Sequence, residues 1–195
     1  MPSPRTATLR YADPDRDAAA CAALYAPHVD GSATSFDEVA PDAAQFRALI
    51  AKTIASYPWI VLEDGGDVLG YAYAAAHRSR AAYRWTAEVS IYVDPAHHGA
   101  GAGRRLYEAL LQLLRRQNLR IALAGITVPN DASIGLHRAL GFEEIGVYRD
   151  VGWKAGAWRD VAWWQLDLQR GGDGGREAKG AGAPPPEPLG PQPLP

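Results

Sequence analysis

The sequence predicts a mixed α/β (α+β) domain, a central sheet of about seven strands flanked by about four helices. Three observations carry that expectation. Seven short segments alternate apolar and polar residues or run continuously apolar, as half-buried and buried strands require, while four others repeat apolar residues at helical spacing. The chain has 195 residues, enough for one ordinary core, since single domains usually hold roughly 100–200 residues. Apolar residues make up 47% and charged residues 22%, so disorder of the whole chain is excluded.

The elements follow in order. Residues 6–11 read as a strand, and residues 15–26 as a helix with Cys21 and Leu24 on its apolar side. Residues 41–57 form a second helix: Pro41 and Asp42 suit its first turn, and Phe46, Leu49, Ile50 and Ile54 recur at helical spacing. Residues 59–63 and 68–75 are strands joined across Asp64-Gly65-Gly66-Asp67, a good hairpin turn. Residues 88–93 are β-rich and stop at Asp94-Pro95. Residues 103–117 are strongly amphipathic, with Leu106, Leu110, Leu113 and Leu114 on one side, and link two strands that can lie parallel. Residues 121–128 are a buried-type strand stopped by Pro129, and residues 133–140 a short helix ended by Gly141. Strands over 144–148 and 161–168 close the domain, which is assigned to residues 1–169.

Residues 170–195 differ sharply. They hold seven Gly and seven Pro and no Trp, Tyr, Phe, Val or Ile, so they cannot bury enough apolar area to offset chain entropy, and a disordered tail is expected. The net charge of −2 argues against a nucleic-acid or anionic-membrane partner, because both need clustered positive charge. Cys21 alone supports neither an intrachain disulfide nor a cysteine zinc site, and the adjacent His97-His98 suits one tetrahedral metal poorly, so no metal is expected. Met-Pro-Ser-Pro-Arg is not followed by an apolar run, and no stretch approaches the roughly 18 apolar residues of a membrane span. The expectation is a cytoplasmic protein.

The most informative segment is His98-Gly99-Ala100-Gly101-Ala102-Gly103, between a strand and a helix. Such a turn lets backbone amides approach an anion, and the helix N terminus adds favourable partial charge. Diphosphate is the obvious guest. The loop lacks the Gly-Lys-Ser/Thr ending of a nucleoside-triphosphate loop and the Gly-x-Gly-x-x-Gly spacing of a dinucleotide fold. A bland turn with helix-starting glycines is the competing reading.

A second constellation, Asn130-Asp131-Ala132-Ser133 ahead of Leu136-His137 and Leu140-Gly141-Phe142, adds weight. Together the two segments resemble the acetyl-coenzyme A core of the GNAT N-acetyltransferases, whose Gln/Arg-x-x-Gly-x-Gly/Ala motif is matched at His98, Gly101 and Gly103. His98 departs from the usual Gln or Arg. The resemblance spans residues 6–168 and implies the GNAT fold, acetyl-CoA as co-substrate, and coenzyme contacts from Ile91, Tyr92, Val93, His98, Gly99, Ala100, Gly101, Ala102, Gly103, Arg104, Asn130 and Ser133. Within the family, Tyr57-Pro58-Trp59, Arg80-x-x-Tyr83-x-Trp85-Thr86-x-Glu88 and Gly152-x-Lys154-x-Gly156-x-Trp158-x-Asp160 resemble the phosphinothricin acetyltransferase branch. That branch acetylates the α-amine of small amino-acid-like compounds such as phosphinothricin and methionine sulfoximine or sulfone.

Acetyl transfer to an amine needs a base for the ammonium, polarisation of the thioester and a proton for the leaving thiolate. The resemblance assigns the base to Glu88, against a strand-end glutamate in a structural ion pair. It makes His137 catalytic as acid or second base, against a buried histidine bonded to backbone. Backbone amides of Ile91, Tyr92 and Val93 are expected to receive the thioester oxygen. Arg78 and Arg80 suit an anionic acceptor because guanidinium forks match carboxylate and phosphinate oxygens, against two solvated arginines on a loop. Phe36, Tyr73, Tyr83 and Tyr92 are expected to complete the acceptor pocket.

Four of the six tryptophans fall within 153–164, as core, as lid or as the seam of the homodimer that related enzymes commonly form. Two other functions share the fold. One is a GNAT acting on a polyamine, an aminoglycoside or a protein N terminus, which the two arginines disfavour for polycations. The other is a non-catalytic acyl-CoA sensor, which Glu88 and His137 disfavour.

Overall fold

The computed structural model describes residues 7–169 and 187–195. Its strands are β1 (Thr8–Tyr11), β2 (Trp59–Asp64), β3 (Asp67–Ala76), β4 (Thr86–Val93), β5 (Ile121–Val128), β6 (Glu143–Lys154) and β7 (Ala157–Asp167). The helices are α1 (Pro14–Asp30), α2 (Ala43–Ile54), α3 (Ala102–Arg116) and α4 (Asp131–Ala139). The strands form one sheet in the order β1-β2-β3-β4-β5-β7-β6, so the expected mixed α/β architecture is found. Every pairing is antiparallel except β4 with β5, which the α3 crossover makes parallel.

Period-two alternation gives the sheet two buried faces. Ile60, Leu62, Ala72, Ala74, Val89, Ala122 and Ala124 meet Leu106, Leu110, Leu113 and Leu114 of α3. Trp59, Val61 and Tyr71 on the opposite face meet Cys21 of α1 and Phe46 and Ile50 of α2. Register puts Tyr71 opposite Tyr92, Tyr73 opposite Ser90 and Ala75 opposite Glu88, so Glu88 projects on the α1–α2 face. The α1 entry is tied to β1 and β2: Asp17, 1% exposed, accepts two hydrogen bonds from Arg10 at 2.6 and 2.7 Å, and Arg10 also reaches Glu63. Burial is the largest single influence and would raise the Asp17 carboxyl, but the Arg10 hydrogen bonds, the Asp13 amide and the charges of Arg10 and Arg16 together outweigh it and leave the group below its ordinary value.

Several boundaries moved, each for a local reason. Helix α1 passes Ala26 and continues through Pro27, because a proline in the last turns removes few intrahelical bonds; Gly31 N–H then bonds Pro27 O at 3.1 Å. Asp42 caps α2 rather than joining it, in a reciprocal capping box with Gln45. Strand β6 runs to Lys154, not Tyr148, and turns into β7 through Ala155-Gly156, both at positive φ as a tight hairpin needs. Of the expected strand over 6–11, Thr6 lies outside the described residues.

The tail needs a correction at its end. Residues 170–186 lie outside the described part, but residues 187–195 are docked rather than free. Leu189 exchanges hydrogen bonds with Gln117, whose side chain also donates to Ser56 O; Arg84 holds Glu187 bidentately at 2.7 Å; and Leu194 packs on the α3-side core. A proline-rich strand loses little entropy on ordering, so a few satisfied carbonyls and one leucine suffice where composition predicts no docking.

Candidate active site

The one parallel pairing sets the site. Strands β4 and β5 are in register only at Thr86↔Ile121, Ala87↔Ala122 and Glu88↔Leu123, and beyond Glu88 they part. On that side, the backbone groups of β4 past Glu88 have no strand partner, so the splay exposes polar backbone to whatever fills it. A cavity of about 480 Å³ occupies the splay. Val89 to Val93 form one wall and Ala124 to Thr127 the other; Tyr107, Leu136 and His137 close it from the α3–α4 side, His28 and Thr34 from the α1 side. The cavity therefore passes through the sheet.

The glycine loop forms its mouth. Gly99 and Gly101 adopt φ of +74° and +89°, a region that strains other residues. Arg105 N–H makes the first helical bond, to Gly101 O at 3.0 Å, so the amides of Ala102, Gly103 and Arg104 open the helix without an intrahelical acceptor. A Cβ added at Gly103 would be in ordinary contact with Leu136 Cδ2 at 3.4 Å and Ile91 Cδ1 at 3.6 Å, which leaves no room there for a larger side chain. Donor amides, a positive helix end and a long apolar slot with one unpaired strand edge suit a diphosphate carrying an extended amide arm, as coenzyme A does.

The expected coenzyme residues gather here. Ile91, Tyr92, Val93, His98, Gly99, Gly101, Ala102, Gly103, Arg104, Asn130 and Ser133 all line the cavity; Ala100 does not. Two of them are engaged otherwise. His98 Nε2–H donates to Val93 O at 3.0 Å, leaving only Nδ1 for an outside partner, and Asn130 caps α4 by accepting from Ser133 N–H at 3.1 Å.

His137 is 2% exposed and both ring nitrogens are used. Nδ1–H donates to Ser133 O at 2.8 Å, which leaves Nε2 to accept from the Tyr107 hydroxyl at 3.1 Å. Burial lowers its pKa. Burial thus works against the expected imidazolium donor, and the bond to Ser133 O is the kind the alternative reading expected, while the ring still lines the cavity. Tyr107, pushed well up by burial, was missed although it lies one helical turn from Gly103.

The expected acceptor residues scatter. Of Phe36, Tyr73, Arg78, Arg80, Tyr83 and Tyr92, only Tyr92 lines the cavity; Glu88 does not line it either, and directly precedes Val89, which does. Tyr73 stacks on Trp59 with centroids 4.2 Å apart, its hydroxyl bonded to Ser90, which does line the cavity. Phe36 lies against Gly152, where an added Cβ would fall 2.4 Å from its ring, because Lys154 ties the loop after α1 to the β6–β7 hairpin. Arg80 begins a single turn of 3-10 helix over Ala81–Tyr83, and Tyr83 is half-exposed beside it. Arg78 donates to His77, and His77 to Glu88, at 3.3 and 2.6 Å. His28, Thr34, Ser90, Gly125 and Thr127 also line the cavity unforeseen; His28 was hidden because the helix was ended at Ala26. No group of three His, Cys, Asp or Glu suited to a metal occurs among the described residues.

Comparison with known proteins agrees with this geometry. The model of the acetyltransferase (GNAT) domain matches residues 12–163. The phosphinothricin N-acetyltransferase of Alcaligenes faecalis is 42% identical over 159 residues, 80% of this chain and 81% of that one. The L-methionine sulfoximine/L-methionine sulfone acetyltransferase of Salmonella typhimurium is 38% identical over 162 residues, 83% and 94% of the two chains. The crystal structure of a GNAT superfamily phosphinothricin acetyltransferase from Sinorhizobium meliloti, solved with acetyl-CoA, superposes with a TM-score of 0.78 at 39% identity, covering 84% of this chain and 89% of that one. The expected fold is that of these relatives, and the chain belongs to the GNAT acetyltransferase family.

Proposed function

We propose that the chain transfers acetyl from acetyl-CoA to the α-amine of a small, anionic, amino-acid-like acceptor of the phosphinothricin or methionine sulfoximine and sulfone type. The observation that carries the reading is the β4–β5 splay, with the amides of Ala102, Gly103 and Arg104 at one end and Glu88 at the other. In this reading acetyl-CoA is the co-substrate, its diphosphate on the α3 N terminus and its arm along Ile91, Tyr92 and Val93, whose backbone also receives the thioester oxygen. Glu88 takes a proton from the acceptor ammonium, directly or through water. The freed amine attacks the thioester carbon and the C–N bond forms; as the C–S bond breaks the nitrogen sheds its second proton, the leaving thiolate takes that proton or one from solvent, and Glu88 returns its own proton to solvent. No covalent enzyme intermediate is involved. His137 contributes as a neutral ring that fixes Tyr107 and Ser133 in the cavity wall. Arg78 and Arg80, on the connection beside Glu88, hold the acceptor's anionic groups.

The same reading includes a homodimer. Ile145, Tyr148, Val151, Trp153 and Trp158 of the β6–β7 hairpin are about half-exposed or more, with both tryptophans near 60%, the kind of exposed apolar cluster that a partner covers. The reading places the chain in the cytoplasm, where a lone thiol such as the buried Cys21 stays reduced.

The test is thiol release from acetyl-CoA with phosphinothricin, methionine sulfoximine, methionine sulfone, the natural amino acids and spermidine in parallel. Selective turnover of the first three is expected. Turnover of another amine alone overturns the acceptor and keeps the fold's chemistry; coenzyme binding with no turnover favours a sensor.

A further inference from the structure

The loop that leaves β3 carries a side chain that neither composition nor the glycine motif pointed to. His77 follows Ala76, the last residue of β3, and lies two residues past Ala75, the register partner of Glu88. Period-two alternation therefore sets it on the face of Glu88 just beyond the strand end. Its Nδ1 stands 2.6 Å from Glu88 Oε1, while Arg78 Nε–H points at its Nε2 from 3.3 Å. The ring is walled edge-on by Tyr83 and Trp163, with centroids 5.6 and 6.1 Å away, and its side chain is only 14% exposed.

The direction of these bonds is determined by chemistry. A guanidinium N–H can only donate, so Nε2 accepts and the proton of the neutral ring sits on Nδ1. That proton is then donated to Glu88 Oε1. We infer that His77 is a positioning residue for Glu88: Arg78 selects its Nδ1–H tautomer, and the ring holds one carboxylate oxygen so that the other faces the splay. The inference rests on Glu88 being the base. It excludes a relay through His77, because in this tautomer the ring lone pair points away from the carboxylate, toward Arg78. Holding a carboxylate by one oxygen restricts its rotation, and an error of about 1 Å in such a group costs on the order of 100-fold in rate. The titratable groups beside Glu88 are His77 at the exit of β3 and Tyr73 of β3; Arg78 and Tyr83 of the connection stand behind them against His77.

Four variants and one spectrum test this, with methionine sulfone and acetyl-CoA as the probe pair. His77→Leu is expected to lower kcat about 10- to 100-fold with the KM for acetyl-CoA unchanged. His77→Asn, whose amide N–H can reach the Nδ1 position, is expected to recover most of that loss. His77→Leu combined with Glu88→Gln is expected to be no slower than Glu88→Gln alone, since a group acting only through Glu88 has nothing left to act on. Full activity in His77→Leu beside an inactive Glu88→Gln overturns the positioning role and leaves the base intact. Full activity in Glu88→Gln overturns the base reading and this inference with it. An additive double variant, or an Asn variant as slow as the Leu one, also overturns the role of His77. The spectrum needs no turnover: long-range 15N–1H correlation in the wild-type protein is expected to show the Nδ1–H tautomer at His77, and an Nε2–H ring or an imidazolium at neutral pH refutes the assignment.

Discussion

The two ends of the splay are built from different materials. At the end proposed for the coenzyme the available groups are backbone: amides of Ala102, Gly103 and Arg104 from one helix start, and one strand edge freed beyond Glu88. All come from a single strand–turn–helix run, so local geometry suffices to assemble them. At the acceptor end the groups are side chains. Glu88, His77 and Arg78, the ring of Trp163, and the Phe36–Gly152 contact come from five separate segments and meet only when the sheet closes. A backbone cradle depends on glycines and helix position, and tolerates side-chain change around it; a side-chain constellation depends on each member. That contrast predicts how the two ends fail.

The largest effect is expected at the acceptor end. Glu88→Gln should reduce kcat by about 10²- to 10⁴-fold, the usual contribution of a positioned base, with coenzyme binding measured by calorimetry unchanged. Equal loss in both would erase the distinction between the ends.

Next comes the anchor beneath the acceptor side, the Arg10–Asp17 pair. Asp17→Ala leaves Arg10 without its buried partner and should cost about 3 kcal/mol in denaturant unfolding. The lowered carboxyl also fixes the sign of a pH effect. Its folded value lies below its unfolded one, so its contribution is complete above the unfolded value, about 3.9 for an ordinary aspartate, and disappears as pH falls through the folded one. The stability gap between wild type and Asp17→Asn should therefore be widest near neutrality and close below about pH 4. A gap that widens in acid reverses the assignment.

At the coenzyme end, Gly103→Val should raise the KM for acetyl-CoA about 10-fold or more by driving α3 away from Leu136 and Ile91, with acceptor KM little changed. Arg80→Ala should do the converse, raising acceptor KM roughly 10-fold, the equivalent of one charge-assisted hydrogen bond, without touching acetyl-CoA. If both substitutions move both constants, the ends are not separable. The smallest effect belongs to the docked terminus. Removing residues 187–195 should lower unfolding free energy by about 1–2 kcal/mol, from the lost bonds to Gln117 and Arg84, with both KM values unchanged.

How far the sequence could be read follows the same division. The coenzyme end was legible because glycines at positive φ, a helix start and a proline-stopped strand are local features with local causes. His98 and Asn130 were placed correctly at the cavity, yet their inward bonds to Val93 and Ser133 depend on distances no spacing encodes. At the acceptor end the residues were named but not their geometry: Phe36, Arg78, Arg80 and Tyr83 do not line the cavity. His77 was passed over because a histidine after a strand end means nothing until register sets it against Glu88. The β6–β7 hairpin was read too short because its twisted ribbon extends beyond the core, where apolar alternation no longer reports burial.

By itself the sequence determined the seven strands and four helices, their order, the parallel crossover and the glycine turn, since each rests on periodicity, a cap or a φ that neighbouring residues dictate. Only the tertiary structure decided that the His137 ring lies between Ser133 and Tyr107, that His77 grips Glu88, and that the proline-rich terminus lies against Gln117. Each of those is a hydrogen bond between groups far apart along the chain or turned by a fold-imposed rotation, and its existence depends on tenths of an ångström that only the closed sheet provides.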